Sequence, residues 1–396
     1  MSLNDTPSSQ RVHIGFFGCT NAGKSSLVNA VTMQEVALVS EVSGTTTDIV
    51  KKAMEILPIG PVTIIDTPGF DDTSILGEKR IKNTKKALQA VDAAVLVRDA
   101  VNGITDSDRE LESILKSKNV PYVIVYNKAD TVQNRTDGLF YVSAKTGEGI
   151  QLLKENLTKI IPQKPKKINI VDSFIKKSDI VLLVTPIDES APKGRIILPQ
   201  QQVLRNLLDI GALAVVVQPQ QLGAALQNLK HNPRCVITDS QVFAEVSNIV
   251  PEDVLLTSFS ILMASYKGVL EESVKAVAHL KNLKDGNKIL IAEGCTHHRQ
   301  CNDIGTVKIP AWIEKHTGKN ISFDFSSGNT FPEDLSEYSM IVHCGGCMIT
   351  ERDVLSRMEK AKKQNIPFTN YGTLIAYING ILKRSIEVFP EISNLI

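Results

Sequence analysis

A glycine-rich turn between an apolar run and a helical pattern constrains the fold more than any other feature. Residues 12–17 are apolar and β-rich, residues 18–25 have the sequence Gly-Cys-Thr-Asn-Ala-Gly-Lys-Ser, and residues 26–31 have helical spacing. Glycines in such a turn let backbone N–H groups converge on phosphate oxygens at the start of a helix. The pattern predicts a strand, a phosphate-binding loop and a helix in direct succession.

The residue types in this loop predict how it binds a nucleotide. Lys24 is expected to neutralise the β- and γ-phosphate oxygens, and Ser25 is expected to ligate Mg²⁺. The other nucleotide-binding positions predicted in the loop and at the start of its helix are Gly18, Asn21, Ala22, Gly23 and Ser26.

Two further motifs complete the predicted phosphate and magnesium site. Asp66-Thr-Pro-Gly69 ends the third strand-like run, so that Asp66 can hold Mg²⁺ through water and the Gly69 amide can contact the γ-phosphate. Between it and the loop, residues 44–48 read Gly-Thr-Thr-Thr-Asp, and one of these threonines is expected to complete the magnesium shell. The predicted catalytic residues are Lys24, Asp66, Gly69 and this threonine.

The last two motifs predict which base is bound. Asp130, in a motif that begins with Asn127 and Lys128, can accept hydrogen bonds from guanine N1–H and N2–H₂. Adenine lacks both donors and would leave this carboxylate unpaired, so GTP is predicted rather than ATP. The second motif is Ser143-Ala144-Lys145, whose Ala144 amide suits guanine O6.

In this order the five motifs resemble the translation-factor-like GTPases, and more narrowly their tRNA-modification (TrmE) and Era-type branch. The resemblance implies that Asn21 coordinates K⁺ and that Thr46 is the magnesium-ligating threonine. Thr47 departs from the branch, which usually has Arg there. Phe70 follows Gly69 where Ras-type enzymes have the glutamine that orients water. Hydrolysis of GTP is therefore expected to be slow and stimulated by potassium.

Strand and helix patterns alternate along the chain and predict an α/β fold. Prolines and lysines at residues 162–167 predict an exposed linker. We predict a P-loop GTPase domain with a mostly parallel sheet at 1–163, followed by smaller α/β domains at 164–262 and 263–396. The middle domain has no cluster of catalytic residue types, which favours a role in homodimerisation.

Cysteine and histidine are concentrated in the last quarter of the sequence. Cys295-Thr-His297 and His343-Cys344-Gly-Gly-Cys347 each follow a predicted strand. Because ligands bind outside the carboxyl ends of parallel strands, the two motifs are expected to lie together. Thiolate and imidazole at this density suit zinc or an iron–sulfur cluster, and the spacing alone leaves both open.

With these motifs the whole chain resembles the HydF family, the GTPases of FeFe-hydrogenase maturation. The resemblance implies a 4Fe–4S cluster on Cys295, Cys344 and Cys347, with His297 or His343 as a labile fourth ligand. It also implies that the protein carries a two-iron subcluster precursor as cargo and delivers it to apo FeFe-hydrogenase. The radical-SAM maturation enzymes are the other partners that it implies.

The alternative function is a zinc-containing Era-like GTPase of ribosome or tRNA metabolism. The sequence has 44 Lys and Arg against 43 Asp and Glu, a net charge of +1, so no overall field attracts a polyanion. Neither nucleic acid nor a membrane is therefore expected as a partner. No apolar run approaches the roughly 18 residues of a spanning helix, and no signal-peptide pattern is present, so a cytoplasmic location is expected.

Overall fold

The computed structural model describes residues 11–32, 50–56, 59–70, 84, 87–88, 90–161, 170–187, 196–294, 303–328 and 330–395. The chain forms two compact units, Met1–Pro165 and Lys166–Ile396. The predictions for Thr46, Cys295 and His297 fall outside the described residues. No helix within the described ranges is long and apolar enough to cross a membrane.

The first unit is built on a five-stranded sheet in the order β2-β3-β1-β4-β5. Its strands are β1 (Val12–Phe17), β2 (Val50–Ile56), β3 (Gly60–Asp66), β4 (Ala93–Asp99) and β5 (Tyr122–Asn127). All neighbouring pairs are parallel except β2 and β3. The helices are α1 (Lys24–Thr32), α2 (Asp106–Ser117) and α3 (Ile150–Ile160). The predicted α/β fold with a mostly parallel sheet is confirmed.

Alternate side chains of β1 build a core on each face of this sheet. Phe16 belongs to the cluster that contains Leu27 and Leu153, and Phe17 belongs to the cluster that contains Leu111. Successive residues of a strand point to opposite faces, so an unbroken apolar strand needs helices on both. The sequence also predicts a strand over residues 140–142, and the structure has a single bridge there, between Tyr126 and Tyr141.

The second unit contains two four-stranded sheets in which every neighbouring pair is parallel, ordered β7-β6-β8-β9 and β11-β10-β12-β13. One continuous apolar core joins them. The first sheet and its helices are β6 (Ile180–Val184), α4 (Leu198–Ile210), β7 (Leu213–Val217), α5 (Leu222–Asn228), β8 (Cys235–Thr238), α6 (Phe243–Ile249) and β9 (Leu255–Ser258).

The remaining elements complete the second sheet and its helical cover. They are α7 (Phe259–Tyr266), α8 (Leu270–Val277), β10 (Lys288–Glu293), α9 (Ile309–Thr317), β11 (Ser322–Ser327), β12 (Met340–His343), α10 (Glu351–Lys363), β13 (Phe368–Asn370), α11 (Tyr371–Ile378), α12 (Leu382–Ser385) and α13 (Pro390–Ser393). These elements confirm the α/β fold predicted after the first unit, with two parallel sheets that are covered by helices. The boundary predicted between residues 262 and 263 stays a prediction.

The apolar spacing of residues 262–283 predicts a long helical pattern, which the structure divides into separate helices. α7 ends at Tyr266, α8 starts at Leu270, and Gly268 between them has a φ of +73°. A glycine in this left-handed conformation ends a helix because no Cβ opposes the turn. The break brings α7 and α8 against the second sheet as two short helices.

Candidate functional site

The turn after β1 has the shape of a phosphate-binding loop. A Cβ on Gly18 would lie 2.1 Å from the carbonyl oxygen of Val97. Gly23 has a φ of +82°, and a Cβ there would lie 2.3 Å from Asn127 Nδ2. Only glycine fits both places, so the backbone passes close to two neighbouring strand ends.

Lys24, Ser25 and Asp66 meet at the start of α1. Lys24 is buried and its Nζ donates to the Cys19 carbonyl oxygen at 2.7 Å. Ser25 Oγ donates to Asp66 Oδ2 at 2.6 Å. Burial raises the pKa of Asp66, while the Ser25 hydrogen bond and the charge of Lys24 oppose that rise.

The second carboxylate oxygen of Asp66 indicates that a cation binds here. Oδ1 is buried and has no hydrogen-bond partner among the residues that the structure describes. A buried polar atom without a partner is costly, and a hydrated Mg²⁺ ion would satisfy it. Ser25 and Asp66 therefore fit the magnesium site that the sequence predicts.

The segment after Asp66 lies against the phosphate-binding loop. A Cβ on Gly69 would lie 2.1 Å from Thr20 Oγ1, and Phe70 N donates to the Gly18 carbonyl oxygen at 3.3 Å. The Phe70 side chain is buried in the core. Gly69 is thus next to the loop, while Phe70 offers no polar group to orient a water molecule.

Asn127 joins the predicted base site to the phosphate loop. Its Nδ2 donates to the carbonyl oxygens of Ala22 and Gly23 at 3.0 and 3.3 Å, and its Oδ1 accepts from Ala144 N at 3.1 Å. One amide side chain therefore connects three of the predicted motifs. Asparagine is suited to this position because its amide both donates and accepts.

Asp130 is held in an orientation that keeps it available to a ligand. Its Oδ1 accepts a hydrogen bond from Ser143 Oγ at 2.6 Å, which lowers the pKa of Asp130, and the residue is exposed. The ionised carboxylate of Asp130 is thus presented beside Ala144.

Three other predicted nucleotide-binding side chains lie at the surface or in an ion pair. Lys128, with a φ of 67°, pairs with Asp99 at 2.7 Å. Asn21 and Lys145 are exposed, and Asn21 has a φ of 63°.

In the second unit, Gly294 and Cys344 follow adjacent strands of one sheet. β10 pairs with β12 so that Ala292 is opposite His343. Gly294 N donates to Cys344 Sγ at 3.1 Å, and Gly346 N does so at 3.4 Å. The backbone amide just after β10 therefore contacts the thiol just after β12.

The two described thiols of this motif have the chemistry of metal ligands. Burial raises the pKa of Cys344, and burial together with Cys344 raises the pKa of Cys347 to about 12, although Lys267 opposes this. A metal cation supplies the positive charge that keeps such sulfurs deprotonated. Within the described ranges no three His, Cys, Asp or Glu form a metal-binding group. The donors present fit a metal centre that Cys295 would complete.

His343 has both ring nitrogens engaged. Nδ1 lies 2.6 Å from the Cys344 carbonyl oxygen, and Nε2 lies 3.1 Å from Arg357 Nη1. Burial and the charge of Arg357 lower the pKa of His343 to about 3, so the ring is neutral. In this arrangement neither nitrogen offers a free lone pair to a metal.

Two cationic residues near the thiols were not found from the sequence. Arg357 contacts His343, and the buried Lys267 donates through Nζ to the Ile349 carbonyl oxygen at 2.8 Å. Arg357 belongs to a helix rich in charged residues, and Lys267 follows α7 in the chain. Both patterns are typical of solvent-facing side chains, so only the tertiary contacts reveal these residues.

Three family models match the chain. The Hydrogen maturase F dimerization domain matches residues 170–268, and the Hydrogen maturase F tetramerization domain matches residues 271–388. Together these two cover more than half of the chain and fall in the second unit. The 50S ribosome-binding GTPase model matches residues 13–128, in the first unit.

Curated relatives match about a third of the chain. The tRNA modification GTPase MnmE of Nitrosomonas europaea is 38% identical over 150 residues, and the MnmE of Prochlorococcus marinus (strain NATL2A) is 40% identical over 150 residues. The matches cover 36% and 34% of this chain, but only 33% and 32% of the relatives' own length. Among solved structures, Era of Aquifex aeolicus is 19% identical with a TM-score of 0.36, over 52% of this chain and 92% of that chain.

Proposed function

The chain belongs to the hydrogen maturase F family, and from that premise we propose that it is a GTPase that acts as scaffold and carrier in FeFe-hydrogenase maturation. The contact that carries this proposal is the Gly294 N to Cys344 Sγ hydrogen bond. It links the residue that directly precedes Cys295 in the sequence to Cys344, in a chain that also has the GTPase motifs. The ribosomal alternative is not favoured, because both matches in the second unit are to hydrogen maturase F domains.

The proposed hydrolysis of GTP uses residues at the strand ends of the first unit. Lys24 exchanges its bond to the Cys19 carbonyl oxygen for the β- and γ-phosphate oxygens. Ser25 and Asp66 hold Mg²⁺, which neutralises phosphate charge, and Thr46 completes its shell. The Gly69 amide contacts the γ-phosphate, and Asn21 holds K⁺ beside it. Turnover is slow, since Phe70 supplies no polar group for the attacking water.

Guanine is recognised by Asp130 and Ala144, and Asn127 connects Ala144 to the phosphate loop. Asp130 accepts from N1–H and the exocyclic N2–H₂, while Ser143 holds the carboxylate in place. The Ala144 amide, fixed by Asn127 Oδ1, donates to guanine O6. Lys128 and Lys145 flank the base.

In the second unit, Cys295, Cys344 and Cys347 are proposed to hold a 4Fe–4S cluster. Three thiolates on a cubane leave one iron open to an exchangeable ligand, which is where the cluster would attach the two-iron precursor. His297 is the better candidate for a labile fourth ligand, because both nitrogens of His343 are engaged. The amides of Gly294 and Gly346 stabilise the Cys344 sulfur in its ligating position.

The dimerisation domain proposed at 164–262 has an exposed sheet edge. β7 is the edge strand of its sheet, and Leu213 and Val216 on it are 56% and 46% exposed. Unpaired backbone groups on such a strand can pair across a two-fold axis. We propose a homodimer formed through this edge. Apo FeFe-hydrogenase and the radical-SAM maturation enzymes are its proposed partners, in the cytoplasm.

Metal analysis tests the proposal. Protein reconstituted anaerobically with iron and sulfide is expected to hold about one cubane per chain. Cys344→Ser should lose the cluster, whereas Cys301→Ser, outside the motif, should keep it. Stoichiometric zinc with no acid-labile sulfide in the wild type would contradict the cluster. GTP hydrolysis measured on the same sample should be faster in K⁺ than in Na⁺, and equal rates would remove the proposed role of Asn21.

A further inference from the structure

A buried arginine lies behind the cysteine loop, and nothing in the proposed function uses it. Arg357, on α10, has its Nη1 3.1 Å from His343 Nε2, while its Nη2 donates to the Gly328 carbonyl oxygen. Its guanidinium carbon lies 5.2 Å from the centre of the Phe331 ring. Burying a guanidinium is costly, so three specific contacts in one place fix the orientation of this side chain.

The contacts of His343 determine which of its nitrogens carries the hydrogen. Arginine has only donors, so Nε2 must accept from Arg357. The hydrogen is therefore on Nδ1, which donates to the Cys344 carbonyl oxygen at 2.6 Å. The ring also packs against Phe368, with centroids 5.5 Å apart. The imidazole thus forms a bridge between Arg357 and the backbone of Cys344.

The hydrogen bond from His343 fixes the carbonyl oxygen of Cys344. Contacts with β10 and the residue after it fix the other two polar groups of Cys344. Cys344 N donates to the Ala292 carbonyl oxygen at 2.9 Å, and Sγ accepts from the Gly294 amide. The carbonyl oxygen precedes Gly345 and Gly346, which lead to Cys347. Without the hydrogen bond from His343, the peptide group that starts this glycine turn would be free to rotate.

Arg357 also supplies charge. Its buried guanidinium is joined to the peptide group of Cys344 through the single imidazole of His343. A cubane with three thiolate ligands carries negative charge, and reduction adds more. A buried cation near one ligating sulfur therefore favours the reduced form.

From these contacts we propose that Arg357 is a positioning residue for the cluster-binding loop and that it acts through His343, which serves as a hydrogen-bond bridge and not as an iron ligand. This inference rests on the proposed 4Fe–4S site. It assigns two separable effects to one side chain. The forked hydrogen bonds hold the loop, and the charge sets the reduction potential of the cluster.

Two substitutions at Arg357 separate these effects. Arg357→Met removes both the fork and the charge, whereas Arg357→Lys keeps the charge but cannot donate in fork geometry to His343 and Gly328. Each variant is reconstituted anaerobically, and two quantities are measured: the rate of iron loss to a chelator and the midpoint potential by EPR-monitored titration. We expect both variants to lose iron about tenfold faster than the wild type. The potential should fall in Arg357→Met and stay near wild type in Arg357→Lys.

Substitutions at His343 test the bridge. His343→Gln has an amide that can donate and accept, so it should keep most of the wild-type retention of iron, whereas His343→Leu should lose iron as fast as Arg357→Met. The double variant Arg357→Met/His343→Leu should lose iron no faster than either single variant, because the two residues act in series. If Arg357→Met fails to fold, Arg357→Lys and His343→Gln still decide the outcome.

Arg384→Met is the matched control. Arg384 in the same unit also donates as a fork to backbone carbonyl oxygens, from Nη1 to Ser247 and from Nη2 to Val250, and neither acceptor belongs to the cysteine motif. It should change neither iron loss nor potential. The inference would be overturned, without affecting the proposed function, if both Arg357 variants lost iron at the wild-type rate with the wild-type potential. It would also be overturned if Arg384→Met changed these two quantities as much as Arg357→Met does. Failure of His343→Gln to retain iron, with loss of a strong nitrogen coupling in its EPR spectrum, would make His343 a ligand. Absence of any cubane in the wild type would instead overturn the proposed function.

Discussion

Several side chains at the nucleotide site are held in position by hydrogen bonds to residues of other motifs. Asn127 bonds to the phosphate loop and to Ala144, and Ser143 bonds to Asp130. The identities of these residues were predictable because each belongs to a short motif with fixed spacing. Arg357 was not predictable, because its contacts depend on how α10 packs against β12.

Asp130→Asn tests base recognition. The substitution replaces two charge-assisted acceptor interactions with an amide, so affinity for GTP should fall about 100-fold or more. Affinity for xanthosine triphosphate should rise, since its base has a carbonyl where guanine has N2–H₂. Competition binding with GTP, XTP and ATP measures the change. A variant that still prefers GTP over both would show that Asp130 does not contact the base.

Asp66→Asn is predicted to separate stability from hydrolysis. Burial raises the pKa of Asp66 above its ordinary 3.8, so the ionised carboxylate lowers the stability of the folded metal-free protein at neutral pH. Asn removes that charge, and the Tm of the metal-free and nucleotide-free variant should exceed that of wild type at pH 7. The gap should close as pH falls through the raised pKa, where the wild-type carboxyl becomes protonated. Hydrolysis of GTP should be lost at every pH, and thermal melts from pH 7 down to 4 test the linkage.

At the scale of elements, strand positions follow closely from the sequence, but helix continuity does not. The apolar runs predict strands over residues 12–17, 180–184 and 235–238, and these are the bounds of β1, β6 and β8. The run over 262–283 looked continuous because its apolar spacing passes through Gly268, whose positive φ divides α7 from α8. Cys344 directly follows β12, where its motif predicts it, whereas the position of Cys295 beside it stays a prediction.

The start of α10 is predicted to matter for the cluster. Thr350 and Asp353 form a reciprocal cap, with Thr350 Oγ1 accepting from Asp353 N at 3.1 Å. Thr350→Ala should lower the free energy of unfolding by about 1 kcal/mol. It should also speed loss of iron, because α10 carries Arg357. Denaturant titration and chelator kinetics measure the two effects.

Thr105→Ala is the matched control, since Thr105 caps α2 with Asp108 in the same way in the first unit. It should slow GTP hydrolysis, because Thr105 Oγ1 also lies 3.1 Å from Cys19 Sγ in the phosphate loop, and leave iron retention unchanged. Equal iron loss in the two variants would contradict a local effect of the α10 cap.

At the scale of the whole molecule, the family matches and the core divide the chain differently. The compact units separate at residue 165, whereas the two hydrogen maturase F models divide the second unit near residue 270. One core joins both sheets of that unit. The sequence predicted the alternating pattern, but it could not show that the sheets share a core, because this depends on which apolar faces pack together.

The sheet edge at β7 is predicted to hold the homodimer together. Val216→Lys places a charge on the exposed edge strand and should produce monomers at micromolar concentration. Val101→Lys, at another exposed valine in the first unit, should leave the dimer intact. Sedimentation velocity distinguishes the two species. A dimer of unchanged stability in Val216→Lys would move the interface elsewhere.

Activation of apo FeFe-hydrogenase tests the central claim most directly. Protein loaded with the two-iron precursor by the maturation enzymes, then purified, is mixed with apo-hydrogenase, and hydrogen evolution is measured. The account predicts activity with the wild type and with Cys301→Ser, and none with Cys344→Ser. Equal activation by Cys344→Ser, or none by wild type that holds its cubane, would contradict the claim that this cysteine motif carries the precursor.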